Sequence, residues 1–239
     1  MTVVRTIAVH EIVRDVFPRP PPEEKDRVAM AVGKAIDGTV ADLGYQLRRG
    51  RRPTQSGLDE LGRSLLDEAL AENAVALSPA EREATLARLR EVVRAYRRSP
   101  IAGLARPKTR VCLIDNQVGV YAQPDFWDGR GRIFELKSFL AVPPPPDVAL
   151  QLRLFQLAYP GFETLLVCLN RHAHPVETTS YVVPPPTPAE VADALRLAFD
   201  VGQRLGQPKV LEYVEGPFVA YTLAPAAPGP RPASPAPPD

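Results

Sequence analysis

Cysteine, asparagine, histidine and tryptophan are all scarce in this 239-residue chain, which holds two Cys, three Asn, three His and one Trp. The two cysteines, Cys112 and Cys168, stand in apolar strand-like runs and read as core residues. No disulfide is required, and buried thiols suit a reducing, cytoplasmic setting. His172 and His174 have no third His or Cys nearby, and His10 is far away in sequence, so no zinc pattern forms. No run approaches the roughly 20 apolar residues that a membrane helix needs. Residues 1–17 are too often interrupted by polar residues to read as a signal peptide. A glycine-rich phosphate loop with its lysine is missing, so a built-in ATPase is not expected and any helicase would be a separate chain. Few Asn alongside 28 Pro and abundant Arg and Ala lean toward a thermophile or a high-GC genome.

Against this background one stretch stands out: Gln123-Pro124-Asp125, followed ten residues later by Glu135-Leu136-Lys137. Val118–Phe126 and Arg132–Phe139 are strand-like, and Asp128-Gly129-Arg130-Gly131 between them reads as a hairpin turn. A turn centred near Arg130 puts Asp125 opposite Glu135, where cross-strand side chains come within about 5 Å. Glu135 and Lys137, two apart on one strand, share a face. Two carboxylates and an ammonium therefore converge. Hard cations such as Mg²⁺ and Mn²⁺ select carboxylate, carbonyl and water oxygens, so Asp125 and Glu135 are expected metal ligands, with the backbone carbonyl of Leu136 as a further one. Lys137 is placed to hold an attacking water or to neutralise charge in the transition state. A plain surface hairpin would also allow such a pattern, but Phe134, Leu136 and Phe139 make Glu135 an acid in an apolar strand, where an unpartnered charge is costly.

Around the hairpin, Glu23–Leu47 reads as a helix from the spacing of Val28, Val32, Ile36, Val40 and Leu43. Leu58–Asn73 is a second. A third runs from Ser78 to about Arg98, with Ser78 as N-cap, Pro79 first and Glu81 closing a capping box. Strands are expected at 110–121, running into 118–126, then at 132–140 and 164–170. Pro143–Pro146 makes a stiff connector. Asp147 is expected to cap a helix carrying Gln151 and Phe155, which share a face at i, i+4 and end before Pro160-Gly161. A strand near 177–183, a helix over Pro188–Leu205 and strand-like runs at Val210–Val214 and Phe218–Leu223 complete the order. From Ala224 the Pro/Ala-rich tail lacks large apolar residues and is expected to be disordered. The net charge of +1 does not announce a nucleic-acid binder, but its distribution is uneven. Arg48, Arg49, Arg51 and Arg52 surround Gly50 at a helix end, and Arg94, Arg97, Arg98, Arg106, Lys108 and Arg110 follow. Part of this complements helix dipoles; the rest suits a phosphate track.

These motifs resemble the PD-(D/E)XK nucleases, and within them the RecB-like exonuclease group that includes the CRISPR adaptation nucleases. Pro124-Asp125 and Glu135-Leu136-Lys137 match the core signature. Gln151-Leu152-Arg153-Leu154-Phe155 is similar to the group's helical Gln-x-x-x-Tyr motif, with Phe155 replacing Tyr. Gly33-Lys34-Ala35-Ile36-Asp37 resembles its Gly-x-x-x-His motif, with Asp37 where a metal-binding His would stand. The resemblance covers roughly residues 22–170. It implies that Asp37 joins Asp125 and Glu135 as a metal ligand and that Gln151 orients the site or contacts DNA, with Phe155 touching DNA. Several members of the group carry a four-cysteine iron–sulfur cluster, which two cysteines exclude here.

The expected fold is α/β: a restriction-endonuclease-like core, a mixed β-sheet flanked by helices, with an N-terminal helical region over 1–105, the nuclease core over 106–223 and the tail over 224–239. The expected activity is Mg²⁺- or Mn²⁺-dependent hydrolysis of DNA, a cytoplasmic RecB-like exonuclease in DNA processing, repair or defence, without a membrane partner. The alternatives are a catalytically weak nucleic-acid-binding or scaffolding subunit, and an interaction protein of a phage or defence complex recruited through the Pro-rich tail.

Overall fold

A computed structural model describes residues 3–210 and 219–223. The chain begins with β1 (Val3–Ala8) and a short helix α1 (Val9–Val16), then runs through three long helices, α2 (Glu24–Arg48), α3 (Gln55–Glu72) and α4 (Pro79–Arg98). Next come β2 (Arg110–Ile114), β3 (Val118–Ala122), β4 (Phe126–Trp127) and β5 (Arg132–Lys137). After them follow α5 (Pro146–Ala158), β6 (Glu163–Asn170), β7 (Glu177–Val183), α6 (Pro188–Leu205), β8 (Gln207–Val210) and β9 (Val219–Tyr221). The fold is α/β, with two mixed sheets flanked by helices. One sheet has the order β8-β1-β3-β2-β9 and the other β4-β5-β6-β7.

Local chemistry accounts for several helix starts. Ser78 Oγ accepts from the Glu81 N–H while Glu81 returns a bond to the Ser78 N–H, and Pro79 opens α4. Thr187, Pro188 and Glu190 repeat the arrangement at α6. The cap expected at Asp147 is not there: Pro145 occupies the N-cap of α5, Pro146 is its first residue, and Asp147 pairs with Arg19 at 2.8 Å. A proline at the first helical position forfeits no hydrogen bond, so the connector runs one residue further into the helix than a polar cap would allow. The strand expected over 110–121 is split, because Asp115 and Asn116 take φ of 49° and 54° and turn β2 back onto β3. Asp and Asn tolerate that left-handed region better than other side chains. The tail from 224, and the 211–218 part of the expected C-terminal strands, lie outside the described residues.

The expected division at residue 105 does not hold. β1 lies inside the five-stranded sheet, parallel to β3 with Arg5 opposite Val118, and antiparallel to β8. Strand pairing of this range leaves no local trace in the sequence. Nor do the long helices have a core of their own. Ile36, Leu43, Leu66, Leu89 and Tyr96 pack in one cluster with Phe126, Phe134 and Val167 of the four-stranded sheet. A second cluster packs α1, α5 and α6 on β1–β3. α5 sits between the sheets: Val148 and Leu152 meet Leu166 and Cys168, while Leu154, Phe155, Leu157 and Ala158 meet the β1–β3 side. As the crossover between the parallel strands β5 and β6, it must lie against the sheet. That placement brings Gln151 over the C-terminal end of β5.

Candidate active site

The site grows from the β4–β5 hairpin. Asp128 Oδ1 accepts from the N–H groups of Arg130 and Arg132 at 2.7 and 3.1 Å, and Gly129 and Gly131 take φ of 75° and 97°. A short side-chain acceptor and two glycines thus close the turn. Phe126 pairs with Phe134 and Trp127 with Ile133; one step further along that register, Asp125 faces Glu135. The segment entering the hairpin is braced as well, with Gln123 Nε2 donating to Pro107 O at 3.1 Å and the Tyr159 hydroxyl to Lys108 O at 2.6 Å.

Two fixed arrangements result. Asp125 Oδ2 accepts the Leu136 backbone N–H at 2.9 Å. Glu135 Oε1 accepts from Lys137 Nζ at 2.8 Å and from Gln151 Nε2 at 2.9 Å, while Lys137 Nζ also donates to Gln151 Oε1 at 2.9 Å. Glu135, Lys137 and Gln151 form a closed triangle in which each side chain touches the other two. Leu136, expected to lend a carbonyl, is seen here through its N–H.

Opposite the triangle, α2 supplies the other wall of a cleft of about 1700 Å³. Asp37 opens onto this cleft, and Asp125, Glu135 and Lys137 form part of its lining. Lys34, three residues before Asp37, instead forms an ion pair with Glu72 on α3. Arg171, immediately after β6, also lines the cleft and acts electrostatically on Asp37.

The acids feel one another. Glu135 is 5% exposed; burial, reinforced by Asp125 and opposed by Lys137, pushes its carboxyl up to about 8. Burial by the cleft walls, then Asp125, pushes Asp37 up to about 6, against the pull of Lys137 and Arg171. Water in the cleft screens Asp37 in part, so Glu135 carries the larger effect. Burial alone would depress the Lys137 ammonium, yet Glu135, Asp125 and Asp37 together raise it. Arg171 is lowered by burial and held up by Asp37.

The structure therefore brings together Asp37, Asp125, Glu135, Leu136, Lys137 and Gln151. It does not bring in Phe155, which is 3% exposed and packed in the core beneath β1–β3. The expectation that Phe155 touches DNA is corrected: in a helix buried on nearly all sides, sharing a face with Gln151 does not mean reaching the cleft. Of the four arginines around Gly50, Arg48 lines the cleft and donates to Leu104 O at 2.8 Å. Arg49 lies over the Tyr45 ring at 4.4 Å, while Arg51 and Arg52 are exposed beyond the end of α2, outside the cleft lining. Arg171 was not singled out from the sequence; its signal there is a cation placed where the apolar run of β6 ends. His10 lines the cleft wall, whereas His172 and His174 lie in the β6–β7 turn, where His174 meets Arg88 at 2.7 Å. Cys112 and Cys168 are buried and free, and burial pushes the Cys112 thiol up to about 12.

Among the described residues no three His, Cys, Asp or Glu side chains meet closely enough to form a ready metal cage. Asp125 and Glu135 lie close enough to act on each other directly, and Asp37 is coupled to Asp125 through the cleft. The donor set still fits a hard divalent cation, since its oxygens are carboxylates whose mutual repulsion a cation would relieve. Among the described residues no helix is long and apolar enough to cross a membrane.

No protein-family description matches the chain, and no curated protein matches it. Among solved structures, the crystal structure of SSO0001 is 12% identical and aligns over 84% of this chain and 87% of that one, with a TM-score of 0.35. A likeness at that level carries no argument.

Proposed function

We propose that this protein is a metal-dependent nuclease of the RecB-like type that hydrolyses DNA phosphodiester bonds. The single observation carrying this reading is the closed Glu135–Lys137–Gln151 triangle set beside Asp125 in one cleft. An ion pair kept merely for stability has no need of a glutamine bridging both partners or of two further acids nearby.

Asp125, Glu135 and Asp37 would hold Mg²⁺ or Mn²⁺, which would supply charge neutralisation on the phosphoryl oxygens and an acidified water. The chain's own groups do the rest. The Leu136 N–H fixes which Asp125 oxygen is free, because Oδ2 is already engaged. Lys137 stays charged, held so by its acids, and presents an ammonium where phosphoryl charge or the attacking water's lone pair must be met. Gln151 fixes the Glu135 and Lys137 side chains at once, so neither spends time in unproductive rotamers.

The test is incubation of the purified protein with end-labelled linear and circular DNA, single- and double-stranded, with Mn²⁺ or with EDTA. Cleavage with Mn²⁺ that EDTA abolishes is expected. An inert wild-type protein on all four substrates would overturn the reading.

A further inference from the structure

Arg171 is built into the cleft without a carboxylate partner among the described residues. Its backbone N–H donates to Ser138 O at 3.4 Å, which ties it to the residue after Lys137. Its side chain then crosses to α2, where a Cβ added at Gly33 would lie 3.5 Å from Arg171 Nη1. Gly33 and Asp37 are one helical turn apart and share a face, and the guanidinium lies against that face in ordinary contact range. A guanidinium has five N–H donors, yet the hydrogen bond Arg171 makes among the described residues is Nε to His172 Nε2 at 3.4 Å. Arg82, Arg90, Arg153 and Arg204 each meet a carboxylate at 2.6 to 2.8 Å, whereas Arg171 makes no ion pair among the described residues. A half-buried cation left so is costly unless something else completes it.

We propose that Arg171 forms a phosphate-binding subsite along the Gly33–Asp37 face of α2, taking a phosphate that flanks the scissile one on a nucleic-acid strand. This rests on the nuclease reading of the neighbouring carboxylates. The planar fork of a guanidinium matches two phosphate oxygens at once, and Gly33, Asp37 and Arg171 all line the same cleft. The flanking position follows from placement. Arg171 acts on Asp37, while Glu135 and Lys137 are bound to each other and to Gln151. Arg171 therefore stands on the Asp37 side of the site, beside the triangle and outside its hydrogen bonds.

The test uses the full chain and DNA oligonucleotides, with binding measured in EDTA and steady-state cleavage in Mn²⁺. Arg171→Gln should raise KM about tenfold with kcat within about threefold, and should cut the salt slope of binding by about one counterion. Arg171→Lys should keep the salt slope, since it keeps the charge, while losing part of the affinity gained from the fork. Arg196→Gln, at an exposed arginine on α6 outside the cleft lining, should change neither. If the wild type cleaves, and both Arg171 variants match it in KM and salt slope, the subsite is overturned and Arg171 is a counter-charge for Asp37. If the wild type binds without cleaving and Arg171→Gln lowers the salt slope, the phosphate subsite stands and the nuclease reading falls. If the wild type neither binds nor cleaves, both are overturned. Should Arg171→Gln fold poorly by circular dichroism, Arg171→Lys decides through affinity at unchanged slope.

Discussion

The two walls of the cleft are built on different principles. On the sheet wall four polar side chains are engaged: Asp125 with the Leu136 N–H, and Glu135, Lys137 and Gln151 with one another. On the helix wall Asp37 faces the cleft, and the Arg171 side chain reaches across to it from the end of β6; the two influence each other through space, without an ion pair among the described residues. Strand register and a crossover helix fix positions to fractions of an ångström, which suits groups that must meet reacting atoms. A helix face leaves charges open, which suits groups whose partners arrive with a ligand. The sheet wall reads as chemistry and the helix wall as capture.

The largest expected effect is on the sheet wall. Lys137→Ala, Glu135→Ala and Asp125→Ala should each lower DNA cleavage by at least about a hundredfold, with circular dichroism unchanged. Wild-type rates in any of them would break the contrast, because the engaged wall would then not be the reactive one.

The pH dependence of stability comes next. Glu135 moves from an ordinary 4.5 to about 8, so the folded state favours its protonated form. Its contribution is fully present below about 4.5 and is lost as pH rises through about 8. Asp37 acts the same way between 3.8 and about 6, screened by cleft water. The metal-free wild type should thus lose stability across this window relative to Glu135→Gln, on the order of a few kcal/mol. Parallel melting curves for the two proteins from acid to mildly alkaline pH would show that Glu135 is not strained.

Smaller effects belong to the supports. Gln151→Ala should cost about tenfold in cleavage, and Asp37→Asn about tenfold in Mn²⁺ affinity, the range found for groups that orient or complete a metal site. The second is read from the rise in melting temperature produced by Mn²⁺. An unchanged Mn²⁺ response in Asp37→Asn would take the helix wall out of metal binding, leaving it to phosphate alone.

The smallest effect separates space from function on the helix wall. Gly33→Ala should stabilise the protein by about 0.5–1 kcal/mol, as expected for an interior helical glycine, because the new Cβ meets Arg171 at ordinary contact distance. A loss of stability, measured by urea denaturation, would mean that the guanidinium is pressed more tightly against α2 than this geometry implies.

What the sequence by itself determined was local. The hairpin that sets Asp125 opposite Glu135 was legible because turn glycines and a period of two act over a dozen residues. The same holds for the α4 cap at Ser78 and the apolar stripe of α2. The tertiary structure alone decided the rest. Nothing near Val3 announces that β1 will lie beside β3, and nothing near Phe155 says that its side of α5 is covered by the other sheet. Nor does a lone arginine after β6 reveal that it will lie against a helix face more than a hundred residues earlier. Periodicity and capping are written within a turn or two of the chain; burial depends on which distant surfaces meet.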